Sequence, residues 1–283
     1  MKKLFLLPLL GLFLLVPVIV FAGNELLWEK QLPFKAATIN YVIKGMEEGK
    51  ETLYIRDNGK ERATYRETIS NVMGMKMTNS TITIKNPDYI YTYDLQKQQG
   101  FKGVNPQKYM IEAYNKLSKA EQEMVRENAK KMGAAYTEGM GGTLQPNALD
   151  ILGYSCDKVE ILGGSSTYLI HGTDITLKTE MNMMGMGMTM VAESVTKDKA
   201  DDTFFEHPKG IVAEVNAQSD EMAKNMATQA IAMLRDPEDP KTAGMVPPKS
   251  AAGGKKQMSK EEQEQMVQQM EQMMKELQGK AAK

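Results

Sequence analysis

The sequence predicts an α+β protein whose body is an antiparallel β-sheet. Three observations carry that prediction. From Ala36 to Asp94, apolar and polar residues alternate with period two in short runs rich in β-branched and aromatic side chains. The turns between these runs are too short for the crossover helix that a parallel pair needs. One interior stretch, Asn105–Gly133, switches to apolar residues three or four apart, the period of a helix.

The chain opens with Lys2 and Lys3, an apolar run from Leu4 to Phe21, and Val20-Phe21-Ala22 before Gly23. That order is a secretory signal peptide over residues 1–22, with cleavage expected after Ala22 and a periplasmic address. A membrane anchor is the alternative, since the run approaches a bilayer's thickness. Pro8, Pro17 and the cleavage site count against it, and no cysteine follows that site to accept a lipid. Loss of Lys2 and Lys3 takes the formal charge from −1 to about −3. The roughly 260 remaining residues suffice for a sizeable core. No long basic block is present, so nucleic acid is not an expected partner.

Residues 23–216 form the expected β-rich domain. "ATINYVIKG", "ETLYIRDNG", "KERATYRETIS", "STITIK" and "DYIYTYD" read as strands with one face buried, and Asp57-Asn58-Gly59 reads as a hairpin turn. Central helices follow over residues 105–133, breaking near Ser118. There Ser118 and Glu121 make a capping box, and Gly133 is the expected stop. "TEGMGGTLQPN" reads as a loop. Strands resume at "YSCDKVEIL", "STYLIHG", "ITLKTEMNM" and "GMTMVAESV", and the domain closes near "FFEHPKGIVAEV". An amphipathic helix over 217–235, a Pro/Gly linker over 236–258 and a capped helix over 259–278 make a helical tail. In the last helix Met266, Met270, Met273 and Leu277 form a short apolar seam suited to an envelope partner.

The side chains that stand out chemically are thioethers. Residues 180–191 read EMNMMGMGMTMV, with Met181, Met183, Met184, Met186, Met188 and Met190; a second knot holds Met73, Met75 and Met77. Thioethers are soft ligands, so the 181–190 set is a candidate Cu(I) or Ag(I) site, to which the second knot can add. They are also pliable and apolar, and so suited to a wall that adapts to an acyl chain. On that reading Met73, Met75, Met77, Met184, Met186, Met188 and Met190 line a cavity, and common parity puts the last four on one strand face. Ordinary core is the third possibility. Transfer energy is alike for all apolar surroundings, at about 1.5–3 kcal/mol per buried side chain, so it does not separate wall from core.

Enzyme signatures are missing. The sequence has no Gly-x-Ser-x-Gly, P-loop, His-Glu-x-x-His or paired-cysteine spacing, and no cofactor motif. Cys156, the one cysteine, excludes an internal disulfide and reads as a buried small hydrophobe. His171, at a strand end, reads as structural and His207 as surface. Arg56, Arg62 and Arg66 read as a solvated sheet face, or as cations for a carboxylate or phosphate.

Leu152-Gly153-Tyr154 with Cys156, then "ITLKTEM" (Ile175–Met181), then Phe205, Pro208 and Gly210 carry a resemblance. Over about residues 25–215 the chain resembles the periplasmic lipoprotein-carrier superfamily, the LolA/LolB-like half-barrels, and related exported bacterial proteins. The resemblance implies a curved antiparallel sheet, a half-barrel, with helices plugging its concave face. It also implies a non-enzymatic binding protein whose partner is a lipid or acylated protein. The tail after Asn216 has no counterpart in that pattern.

Overall fold

A computed structural model describes residues 31–72, 75–139, 143–161, 165–183, 186–215 and 218–236. The expected signal peptide, the linker beyond Asp236 and the helix over 259–278 lie outside the described residues. The described residues all belong to one compact unit, Met1–Pro248; a second unit, Lys249–Lys283, lies outside them.

Alternation produces the strands where it predicts them. They are β1 (Ala37–Gly45), β2 (Glu47–Arg56), β3 (Glu61–Val72), β4 (Met75–Lys85), β5 (Tyr89–Asp94) and β6 (Gln99–Val104). Between β2 and β3, Asp57-Asn58-Gly59 turns the chain with all three φ angles positive, which is why Asp, Asn and Gly occupy it. Helices α1 (Pro106–Asn115) and α2 (Lys119–Gly139) follow. Asn105 caps α1 by accepting from the Gln107 amide, with Pro106 at the first helical position. The Ser118–Glu121 box opens α2: the Ser118 amide donates to Glu121 and the Glu121 amide donates to Ser118 Oγ.

Two expectations need correction here. Helix α2 continues through Gly133 to Gly139, because one interior glycine costs only about 1 kcal/mol and Ala134-Ala135 favour continuation. The "TEGMGGTLQPN" stretch is not a loop throughout: its first residues end α2 and its last open β7 (Thr143–Ile151). Pro146 and Asn147 lie where the β7 register shifts, an irregularity that blunts this edge strand.

Strands β8 (Tyr154–Ile161), β9 (Ser165–Ile170), β10 (Thr176–Met183), β11 (Met186–Thr196) and β12 (Ala213–Val215), and helix α3 (Ser219–Arg235), complete the described chain. The twelve described strands form one open curved sheet, in the order β12-β6-β5-β4-β3-β2-β1-β11-β10-β9-β8-β7. Two antiparallel meanders, β1–β6 and β7–β11, join where β1 pairs with β11; β12 adds to β6 in parallel. This is the α+β half-barrel that the sequence predicts.

Hydrogen bonds that skip strands identify the concave face. Tyr41 in β1 reaches over β11 to donate to the Thr176 carbonyl at 2.7 Å. Arg62 in β3 reaches Asp174, just before β10, at 2.8 Å, across β2, β1 and β11. Both chords need the sheet to curl over the face that carries Tyr41 and Arg62. Here Phe34, Ile39, Tyr41, Ile55, Cys156, Ile170, Leu177 and Ala192 form the largest buried cluster. The convex face carries Ala63, Ile82, Ile84 and Tyr93 under a cover of Phe205 and Ile211. Phe204 stacks on Tyr54 with centroids 4.0 Å apart, so the "FFEHPKG" ending seals the back of the sheet.

The helices tie the two ends of the sheet together. α3 packs on β6, α2 packs on β7 and β8, and α3 lies against both other helices. Tyr114, Val125, Ala129, Ile231 and Leu234 form the core between them. A Cβ on Gly103 of β6 would stand 3.7 Å from that of Ser219, so the start of α3 sits over the concave side of that edge.

Candidate functional site: the concave face

Residues directly opposite on paired strands share a face, so the register maps the concave surface row by row. Met181 stands opposite Met188, and Met188 opposite Gly45. One step inward, Thr179, Met190 and Ile43 share a row. Met188 is 6% exposed and Ile43 1%, while Met181 and Met190 are half-buried. Met190 packs against the main core. Met181, Met188 and Gly45 of the concave face adjoin an open hollow of about 410 Å³ at the exposed end of these strands, which Lys44, Asn182 and Thr189, of the opposite parity, also line. The methionines thus begin as core and end at the rim of the sheet. Gly45 permits this closeness: its φ is +114°, and a Cβ there would fall 2.1 Å from the Gly187 carbonyl.

The other thioethers are placed as follows. Met183 and Met186 are register partners at the end of the β10–β11 hairpin. Met184 lies outside the described residues; Met186, Met188 and Met190 lie on β11 with common parity, while Met181 and Met183 lie on β10. Like-facing neighbours along one strand are almost 7 Å apart, so the close thioether neighbours are the cross-strand ones, about 5 Å apart at Cβ. Met73 also lies outside the described residues. Met75 pairs with Val72 and Met77 with Ser70. Met77 is 52% exposed on the concave face, in the row that runs through Ser70 to Glu47. The two knots therefore lie toward the same end of the sheet, with β3, β2 and β1 between their strands.

The other half of the concave face is polar. Glu51, Arg66, Thr81 and Asp94 share one row, and Leu53, Thr64, Thr83 and Thr92 another. Arg66 donates to Glu47 at 2.8 Å and to Glu51 at 3.2 Å, with all three side chains less than one-fifth exposed. Burial pushes the Glu51 carboxyl above the usual carboxylate range, against the pull of Arg66. Burial likewise raises the Tyr41 hydroxyl beyond any ordinary titration. The arginines are not one solvated face. Arg62 and Arg66 are recessed on the concave side, whereas Arg56 lies on the convex side, pairing with Glu61 and Asp202 and covering the Phe205 ring.

The remaining candidates are structural. Cys156 is fully buried, and burial raises its thiol. His171 Nδ1 lies 2.7 Å from Asp157, a buried carboxylate that also accepts from the Asn147 amide. His207 is exposed, but its Nδ1 is 2.7 Å from the Tyr93 hydroxyl. Among the described residues no cluster of His, Cys, Asp and Glu could hold a metal, and no helix is long and apolar enough to cross a membrane.

No family model matches the sequence, and no curated protein matches it. Among solved structures, the chain is similar to an uncharacterized conserved protein from Thermus thermophilus. The match covers 65% of this chain and 92% of that one, at 8% identity and a TM-score of 0.38.

Proposed function

We propose that the protein is an exported, non-catalytic carrier that holds a lipid or acyl chain against the concave face of its half-barrel. The observation that carries this reading is the continuity from the packed core through Met190 and Ile43 to Met188 and Met181 beside an open recess. Methionine suits a wall that meets chains of variable length and bend. The facing polar half gives an amphiphile's head a place as well as its tail. The resemblance to lipoprotein carriers and the signal-like N-terminus point the same way, with a periplasmic address and an acylated protein as the larger partner.

Native mass spectrometry of the exported protein tests the carrier reading by looking for co-purified lipid. Met188→Glu should abolish lipid uptake, because the new carboxylate would lie in the wall. A protein that exports, folds and takes up no amphiphile would refute it.

A specific observation favours a second reading, a Cu(I) site. Met181 and Met188 are direct cross-strand partners with Met190 one step away on the same face. Ligation needs sulfur, whereas a wall needs only volume and apolarity. The triple variant M181L/M188L/M190L should therefore keep lipid uptake. Tight stoichiometric Cu(I) binding that this variant loses would make copper the function.

A further inference from the structure

At the end of the concave face away from the methionine recess, two cations stand side by side. Arg62 of β3 and Lys85 of β4 are direct cross-strand partners. Like charges in that position repel, and sheets normally avoid them. Arg62 is held by Asp174 at 2.8 Å and by donation to the Gly59 carbonyl at 3.1 Å. Lys85 is half-buried, and the same Asp174 attracts its ammonium. Burial, then repulsion from Arg62, holds its pKa below the usual lysine value against that pull. Asp174 thus attracts both recessed cations, and these three side chains together carry a net positive charge.

The row beside this pair offers hydroxyls. Thr64, Thr83 and Thr92 stand opposite one another on the same face, all half-buried. In the cationic row, Ile55 flanks Arg62 and Ile90 flanks Lys85. Along β3, Arg62 is eight residues from Ser70, the row of Met77, which is about 27 Å of extended strand. This face therefore has a cationic end and a thioether end, with the Arg66–Glu47–Glu51 group and the buried Thr68 and Ser70 between them.

We propose that Arg62 and Lys85 bind an oxyanion, carboxylate or phosphate, at the head of an amphiphile held on the concave face. Arg62 presents guanidinium N–H groups not used by Asp174, and Lys85 supplies a mobile ammonium that closes on the second oxygen. The anion restores the charge balance that the bare pair lacks. This assignment rests on the carrier reading, and names the ligand class within it.

The test compares oleate, its neutral methyl ester and inorganic phosphate, each titrated calorimetrically into the exported full-length chain. Oleate should bind about 10–100-fold more tightly than methyl oleate, the ratio expected of charge-assisted hydrogen bonds. Lys85→Met and Lys85→Gln should each remove most of that advantage and leave methyl oleate affinity unchanged. Both apo variants should melt no lower than wild type, since one of two mutually repelling cations has been removed; this separates a lost site from a lost fold. Equal binding of oleate and its ester would overturn the headgroup site and leave the carrier reading standing. So would variants that keep the advantage of oleate. Phosphate binding without either amphiphile would overturn both the headgroup assignment and the carrier, and would indicate free phosphate as the ligand. No binding of any probe would overturn both as well.

Discussion

Asp157 and Glu51 show how differently two recessed carboxylates behave. Asp157 is fully buried yet accepts from the Asn147 amide and faces His171 Nδ1. It fixes Asn147 in its left-handed turn against β8, so Asp157→Ala should cost about 2–4 kcal/mol in urea unfolding. A loss under about 0.5 kcal/mol would mean that water replaces the carboxylate at no cost. Glu51 is desolvated more than it is paired, and its folded pKa is raised. The folded state therefore holds the proton more tightly than the unfolded chain. This contribution to stability is complete below the unfolded value near 4.5 and is lost as pH rises through the folded value. Glu51→Gln should flatten that part of the stability–pH curve. Thermal melts of both proteins from about pH 4 to about pH 8 check it, and parallel curves would refute it.

Among the elements, the helices depend on their caps and the hairpins on their registers. Ser118→Ala removes the hydroxyl that accepts at the start of α2, and should cost about 1 kcal/mol. Equilibrium denaturation measures it, with Lys119→Ala as the exposed control. On the β10–β11 hairpin, Met188→Glu places a carboxylate at a position 6% exposed, opposite Met181 and Gly45. It should destabilise the domain by about 3 kcal/mol or more, whereas Met188→Leu should cost less than about 1.5 kcal/mol. Equal small losses for the two would place the side chain in solvent.

At the scale of the whole molecule, α3 is the keystone between the sheet's two ends. Its Ile231 and Leu234 bury against Tyr114, Val125 and Ala129, and Asn128 donates to the Leu234 carbonyl at 2.8 Å. Deleting residues 249–283 should leave the melting temperature within about 2 °C, a shift of roughly 1 kcal/mol or less. Deleting from Asn216 should uncover the helical core and lower stability by several kcal/mol. Circular dichroism melts of the two truncations check this. Similar melting of both would show that α3 adds nothing to the unit.

The sequence by itself determined the class of the fold, the strand runs, the α1–α2 break at Ser118, the buried state of Cys156 and the existence of the methionine knots. These follow from local rules: a strand alternates, a helix repeats every 3.6 residues, and a cap needs a serine three residues before a glutamate. Gly133 and the 137–147 stretch were misleading because local penalties near about 1 kcal/mol yield to neighbouring helix formers and to pairing with β8. Only the tertiary structure decided which side chains share a face across strands. The pairing of Met181 with Met188 is set by the register of β10 against β11. The recession of Arg62 and Arg66 is set by curvature, which turns one face of β3 inward and leaves Arg56 on the other. The repulsive pair Arg62–Lys85 joins two different strands, and the carboxylate they share, Asp174, arrives from the far side of the curved sheet. Register and curvature are properties of the packed sheet, and no periodicity within one strand encodes them.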